Sequence, residues 1–190
     1  MQDQLISYLR LLRNIPKGDE NIIASYFEHK TFKEGEMLFK EGKICRELFF
    51  VIEGVIRIVS VNDKAIELTH FFCKENQFCT ILQSFTDETP ATAGIQAACD
   101  AEVFVITKSR LFNLYNQLPY MKEMIDELNQ IRLIEKVNIR NTFLGEDAEG
   151  KYRLFVVQNP DIALRVPLKD IASYLGITPQ SLSRIRKNIR

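Results

Sequence analysis

The side chains best suited to recognition chemistry lie together near the end of the chain: Thr178, Gln180, Ser181, Ser183, Arg184, Arg186, Lys187 and Arg190. On a helix, Gln180, Arg184 and Lys187 share one face, flanked by Ser181, Ser183 and Arg186, because residues three or four apart are neighbours on a helical surface. Glutamine can form two parallel hydrogen bonds with adenine, and arginine two with guanine. Gln180 and Arg184 are therefore candidates for reading base edges in a major groove. Arg186, Lys187 and Arg190 are placed to meet phosphates, which set affinity and salt dependence instead of sequence preference.

That set needs a frame, and the residues before it supply one. Pro167 opens a helix whose buried stripe is Leu168, Ile171, Ala172 and Leu175. Gly176 supplies a turn, Thr178 is a natural N-cap, and Pro179 suits the first position of a second helix. In that helix Leu182, Ile185 and Ile189 face inward. Two short helices joined by a glycine turn, with small Ala172 where they cross, make a helix-turn-helix. The plainer reading is a helical hairpin with a solvated basic face. Charge distribution argues against it. Residues 151–190 hold eight cations against two anions, Asp161 and Asp170, whereas residues 1–150 hold 17 cations against 23 anions, although the 190-residue chain is neutral overall.

Other chemistries find little support. The four cysteines (Cys45, Cys73, Cys79, Cys99) form no CxxC pair and have no nearby histidine, which excludes the usual zinc and iron–sulfur spacings. A jelly-roll metalloenzyme of cupin type would need a His-x-His pair, and the strand region offers only His70 between Thr69 and Phe71. No glycine-rich phosphate loop or nucleophile elbow is present. The expectation is a non-enzyme without cofactor or metal. No apolar run is long enough for a bilayer and no basic leader opens the chain, so no membrane partner is expected and free thiols fit a reducing cytoplasm.

The remaining elements follow from periodicity. Residues 3–28 are helical in pattern, broken at Pro16-Lys17-Gly18-Asp19. From Thr31 short segments rich in Phe, Val and Ile alternate with turns at Glu34-Gly35, Glu41-Gly42, Glu53-Gly54 and Asn62-Asp63. The segments Leu48–Ile52, Val55–Val61, Ala65–Phe72, Thr92–Ala98 and Glu102–Thr107 predict an antiparallel barrel or jelly roll. Residues 109–142 contain no glycine. Within them Met121, Ile125, Leu128, Ile131, Ile134 and Val137 mark a long amphipathic helix, suited to covering its own barrel or pairing with a second copy. Residues 143–150 form a linker, and Lys151–Arg165 is again helical in pattern.

Three pieces in this order resemble the Crp/Fnr family of bacterial transcription regulators: the paired turns of Phe32–Gly42, the strand pair Leu48–Arg57, and Ile171–Ile189 with its Ala-x-x-Leu-Gly and Ser-Arg signatures. The resemblance implies an α+β fold. An N-terminal antiparallel jelly roll of cyclic-nucleotide-binding type (1–108) with flanking helices would precede a long dimerisation helix (109–142) and a C-terminal helix-turn-helix domain without an evident wing (143–190). It implies a homodimer, joined through the 120–140 helix, that reads a palindromic operator in double-stranded DNA with the helix 179–189. RNA polymerase is then a further candidate partner. It also implies an effector pocket, aligned here with Phe78, Cys79, Thr80, Ile81, Leu82, Ala91 and Thr92. Cyclic-nucleotide binders in the family carry Phe-Gly-Glu and then an arginine. Here Thr80 and Ile81 replace Gly and Glu, and Ala91 replaces Arg, so a cyclic phosphate would lack a cation. The expected effector is neither cAMP nor cGMP but an unknown, more apolar molecule, or none. His29, His70 or a cysteine are the candidates for a haem ligand. Cys73 and Cys79 are candidates for a redox pair, although no sequence neighbour lowers a thiol pKa. The rival from another class is a non-catalytic sensor whose helix-turn-helix has become a protein-binding surface.

Overall fold

The computed structural model describes residues 2–188. Helices α1 (Gln2–Leu12) and α2 (Lys17–Ser25) lead into strands β1 (Glu28–Phe32), β2 (Met37–Phe39), β3 (Glu47–Glu53), β4 (Ile56–Val61), β5 (Glu67–Cys73) and β6 (Phe78–Cys79). Helix α3 (Leu82–Asp87) and strands β7 (Gly94–Ala97) and β8 (Ala101–Thr107) complete the sandwich. The two four-stranded sheets, ordered β1-β8-β3-β6 and β2-β7-β4-β5, are antiparallel throughout, which is the expected jelly roll.

Strand β3 shows why the apolar run Leu48–Ile52 is continuous instead of alternating. Phe49 and Val51 point into the core between the sheets, while Leu48, Phe50 and Ile52 pack outward against α1, α2 and the helices that follow β8. Its neighbour β8 does the same, with Val103 and Val105 inward and Phe104 and Ile106 outward. Both strands are buried on both faces, so neither needs polar residues at every second position. Gly54, at φ +89°, turns β3 into β4. A Cβ there would stand 2.2 Å from the Asp100 carbonyl oxygen, so only glycine fits.

The long C-terminal helical stretch corrects one expectation. Residues 109–142 form two helices, α4 (Lys108–Gln117) and α5 (Tyr120–Thr142), divided at Leu118-Pro119 because proline lacks the amide that would continue the first. The apolar stripe of α5 also divides. Met121, Met124, Ile125 and Leu128 are buried against the chain's own helices and β3, but Ile131, Leu133, Ile134 and Val137 are 42–60% exposed. Four helices follow: α6 (Ala148–Gln158), α7 (Pro160–Arg165), α8 (Leu168–Leu175) and α9 (Pro179–Asn188). Helix α6 starts earlier than the linker expectation allowed, because the Asp147 carboxylate caps it by accepting the Gly150 amide at 2.8 Å. A third core joins Tyr152, Phe155, Ile162, Ile171, Ala172, Leu175 and Leu182 of these helices to Val55, Phe72 and Ala98 of the sandwich. Among the described residues no helix is long and apolar enough to cross a membrane.

Candidate nucleic-acid interface and sensor cavity

Helix α8 begins at Leu168, with Pro167 outside it in an extended conformation (φ −54°, ψ 136°), one residue later than expected. Ile171, Ala172 and Leu175 are its buried face, and Leu168 is partly buried. It ends at Gly176 (φ +68°), where the Ile177 amide donates to the Ala172 carbonyl at 3.0 Å. The Thr178 hydroxyl then accepts the Ser181 amide at 3.1 Å and caps α9, which opens on Pro179. Leu182 is fully buried and Ile185 packs beside it, which orients α9 about its own axis. Gln180, Arg184 and Lys187 are thereby exposed, as is Thr178; Ser181, Ser183 and Arg186 are half-buried at the edges. Ile189 and Arg190 lie outside the described residues.

Arg184, Arg186 and Lys187 make no ion pair among the described residues. The two acids of this segment face the sandwich instead: Asp161 pairs with Lys74 at 2.8 Å, and Asp170 with Arg57 at 2.8 Å. The outward face of α9 therefore carries unopposed positive charge.

The helix pair is seated on β5. The Ser173 hydroxyl accepts the Thr69 amide and donates to the Glu67 carbonyl, both at 2.9 Å. Beside this contact Arg57, 2% exposed, donates to Thr69 Oγ1, Gln96 Oε1 and Glu67 Oε2 as well as facing Asp170. A groove of about 610 Å³ separates Thr178, Pro179 and Ser181 at the start of α9 from Ile66, Glu67 and Leu68 of the sandwich. A second clasp lies between the β5–β6 turn and α7. The Glu75 carboxylate takes both the Arg165 guanidinium and the Gly54 amide, next to the Lys74–Asp161 pair. Burial pushes the Glu75 carboxyl up, but the hydrogen bonds from Arg165 and from the backbone amides of Glu75 and Gly54 outweigh it and hold the group below its ordinary value.

A cavity of about 50 Å³ lies between β5, β6 and the middle of α5. Phe78, Cys79, Thr80 and Leu82 line it, as the sequence alignment placed them. Ile81, Ala91 and Thr92 do not: Ile81 precedes α3, Ala91 is sealed in the sheet core by backbone hydrogen bonds to Gly42 and Lys43, and Thr92 is exposed on the surface. The cavity also contains residues that the alignment missed: Phe71 and Cys73 from β5, and Asn129, Arg132, Leu133 and Lys136 from α5. Two cations therefore stand at a site expected to have none, one turn apart on a helix distant in sequence. The Lys136 ammonium sits 4.7 Å above the Phe71 ring, and Arg132 pairs with Glu135 at 2.6 Å. Neither histidine reaches the cavity; His29 pairs with Glu102 and His70 with Ser60, both near the surface. Among the described residues no three His, Cys, Asp or Glu side chains converge as a metal-holding group.

Comparison with known proteins agrees with this architecture. Residues 29–118 match the family described as the cyclic nucleotide-binding domain. The chain is 23% identical over 184 residues to the anaerobic regulatory protein of Bacillus subtilis, covering 89% of this chain and 76% of that one. It is 25% identical over 169 residues to the transcriptional activator protein anr of Pseudomonas aeruginosa, covering 82% and 68%. The solved structure of a crp/fnr-family transcriptional regulator from Eubacterium rectale superposes with a TM-score of 0.72 over 96% of this chain and 87% of that one. At 16% identity that likeness is one of fold.

Proposed function

We infer that this chain, a transcription regulator of the Crp/Fnr type, works as a homodimer that places its two copies of α9 in successive major grooves of double-stranded DNA. The observation that carries this reading is the outward face of α9, where Gln180, Arg184 and Lys187 are exposed and, among the described residues, no acid pairs with Arg184, Arg186 or Lys187. Gln180 and Arg184 read base edges, and Arg186 and Lys187 hold phosphates. Arg190 would extend the phosphate contacts. The second half of α5 supports the dimer. Ile131, Leu133, Ile134 and Val137 leave a contiguous apolar face that a second copy would cover. Residues 1–108 are the sensor, 109–142 the coupling and dimer segment, and 143–190 the DNA-binding domain. A dimer on a promoter would meet RNA polymerase, in a reducing cytoplasm that suits four free thiols.

The cavity argues against a cyclic nucleotide as effector. Its 50 Å³ admits a few waters, well under the roughly 300 Å³ at which ligand pockets begin. An apolar effector fits it no better, because Arg132 and Lys136 stand at its wall. Selection of bound fragments from random duplex DNA, with purified protein and no added ligand, tests the reading. Enrichment of a palindrome with half-sites about one helical turn apart, roughly 10 bp, is expected. Sequence-blind binding at low salt would sink it.

A further inference from the structure

Between the second half of α5, the end of β5 and the helices α6–α8 lies a cleft of about 380 Å³. It exceeds the roughly 300 Å³ at which ligand pockets begin, and it shares only Phe71 and Arg132 with the small sensor cavity. Its lining is of two kinds. Phe72, Phe155 and Tyr174 stand with ring centroids 5.2–6.3 Å apart, and Ile139 and Ile162 extend this apolar wall. Two helical turns before Ile139, about 10 Å along α5, Arg132 and Glu135 line the cleft as an ion pair at 2.6 Å. Lys74 lines it from the end of β5 and is already held by Asp161 at 2.8 Å.

These three are the only charged side chains lining the cleft among the described residues, and with the Asp161 partner of Lys74 their charges cancel. A ligand of one sign could satisfy only one member of the Arg132–Glu135 pair and would strand the other. A ligand carrying both signs satisfies both members and keeps the balance. Hydrogen-bonding capacity is also left over. The Tyr174 hydroxyl, pushed up to about 12 by burial alone, stays a neutral donor and has no partner among the described residues. The side-chain amides of Asn138 and Gln158, which also line the cleft, are equally uncommitted among them.

We propose that this cleft binds a free α-amino acid with a large apolar side chain, its carboxylate on Arg132, its ammonium on Glu135 and its side chain against Phe72, Phe155 and Tyr174. The Arg132–Glu135 pair opens to receive the two head groups, so each charge exchanges one opposite partner for another. Asn138 and Gln158 supply further hydrogen bonds to the head. The ligand touches β5 and α5 on one side and α6 and α8 on the other, and its binding favours the arrangement in which α8 is seated on β5. That this alters operator affinity rests on the function proposed above; the binding itself does not.

The test titrates the full-length chain, without DNA, with leucine and with phenylalanine, and follows the heat of binding and the thermal midpoint. Both should bind saturably by millimolar concentration and raise the midpoint. Glycine lacks the apolar side chain, isocaproate lacks the ammonium of leucine, and isoamylamine lacks its carboxylate; each should bind about tenfold more weakly or worse. Arg132→Gln and Glu135→Gln should each weaken leucine by about tenfold or more. Both should fold, because a partly exposed ion pair contributes little to stability. Thr142→Trp, at an exposed position lining the cleft, fills the space without touching the pair and should abolish binding. Amide exchange should slow in α5 and α6 together when leucine is bound. No saturable binding of either amino acid, or binding indifferent to Arg132→Gln and Glu135→Gln, would overturn the site. Isocaproate or isoamylamine binding as tightly as leucine would overturn the zwitterion. If leucine binds as described but fragment selection finds no operator with or without it, the regulator reading fails while the amino-acid site stands.

Discussion

Arg57 on β4 and Asp170 on α8 face each other at 2.8 Å across the junction of sandwich and helix pair, with side chains 2% and 6% exposed. A charge buried this deeply is tolerable only when paired and hydrogen-bonded. Arg57 meets that demand through Thr69, Gln96 and Glu67 as well as Asp170. Breaking a buried pair by removing one partner costs about 3–5 kcal/mol. Glu67 remains beside Arg57 when Asp170 is lost, so Asp170→Ala should fall at or below the low end of that range. Removing Arg57 leaves Asp170 buried alone, and Arg57→Met should cost more. Urea melts of the two variants, with exchange protection in α8, would check this order; equal costs would refute it.

On α9, Arg184→Ala should reduce affinity for the selected operator by about 1–3 kcal/mol and relax its sequence preference at one position per half-site. Lys187→Ala should weaken binding to all sequences alike and lower the slope of affinity against salt by about one counterion per subunit. Titrations at several salt concentrations separate the two. The assignments fail if Lys187 changes sequence preference and Arg184 does not.

The exposed half of α5 makes the third prediction. Ile134→Asp places a charge in the apolar face formed with Ile131, Leu133 and Val137, and in a symmetric dimer it does so twice. Light scattering should show a shift to monomer with the thermal midpoint little changed, because Ile134 is 60% exposed within one chain. A dimer that survives this change uses another surface.

The carboxyls of Glu75 and Asp161 are held below their ordinary values of 4.5 and 3.8; burial opposes this in each, and the hydrogen bonds and charges of Arg165 and Lys74 prevail. Groups lowered in the folded state contribute stability that is fully present above their ordinary values and lost as pH falls through the lowered ones. Asp170 has the opposite sign. Burial outweighs the pull of Arg57 and raises it, so its contribution fades as pH rises from 3.8 through the folded value. The seat of α7 should therefore loosen below about pH 4.5 while α8 loses less, and Glu75→Gln should flatten the acid limb of the urea midpoint. An acid limb unchanged by Glu75→Gln would refute the clasp as its source.

The parts that could be read from the sequence are those whose causes are local. Gly176, Thr178 and Pro179 mark the turn and the start of α9 within four residues, and the repeat of Leu182 with Ile185 fixes which face turns outward. Strands β3, β4, β5, β7 and β8 were legible from their turns, whereas β1, β2 and β6 were not among the expected segments. The cavity was half legible, because Phe78 and Cys79 come from β6 and Thr80 directly follows it, while Arg132 and Lys136 come from a helix whose surface looks ordinarily polar. Arg57 carried no signal at all. A lone arginine in an alternating strand looks solvent-facing, and only the later helix α8 shows that it is covered. The division of the α5 stripe into a buried and an exposed half was invisible for the same reason: periodicity marks an apolar face but not what covers each part of it.

Strand β3 has a consequence for the chain before it folds. Since both of its faces end up covered, no position between Leu48 and Ile52 is free to carry a charge, and the nascent polypeptide must expose a five-residue apolar segment of high strand propensity. Arg46 and Glu47 on one side and Glu53 on the other are then its only immediate gatekeepers against self-association during synthesis. Neutralising Glu53 should lower the soluble yield far more than it lowers the stability of the protein that does fold.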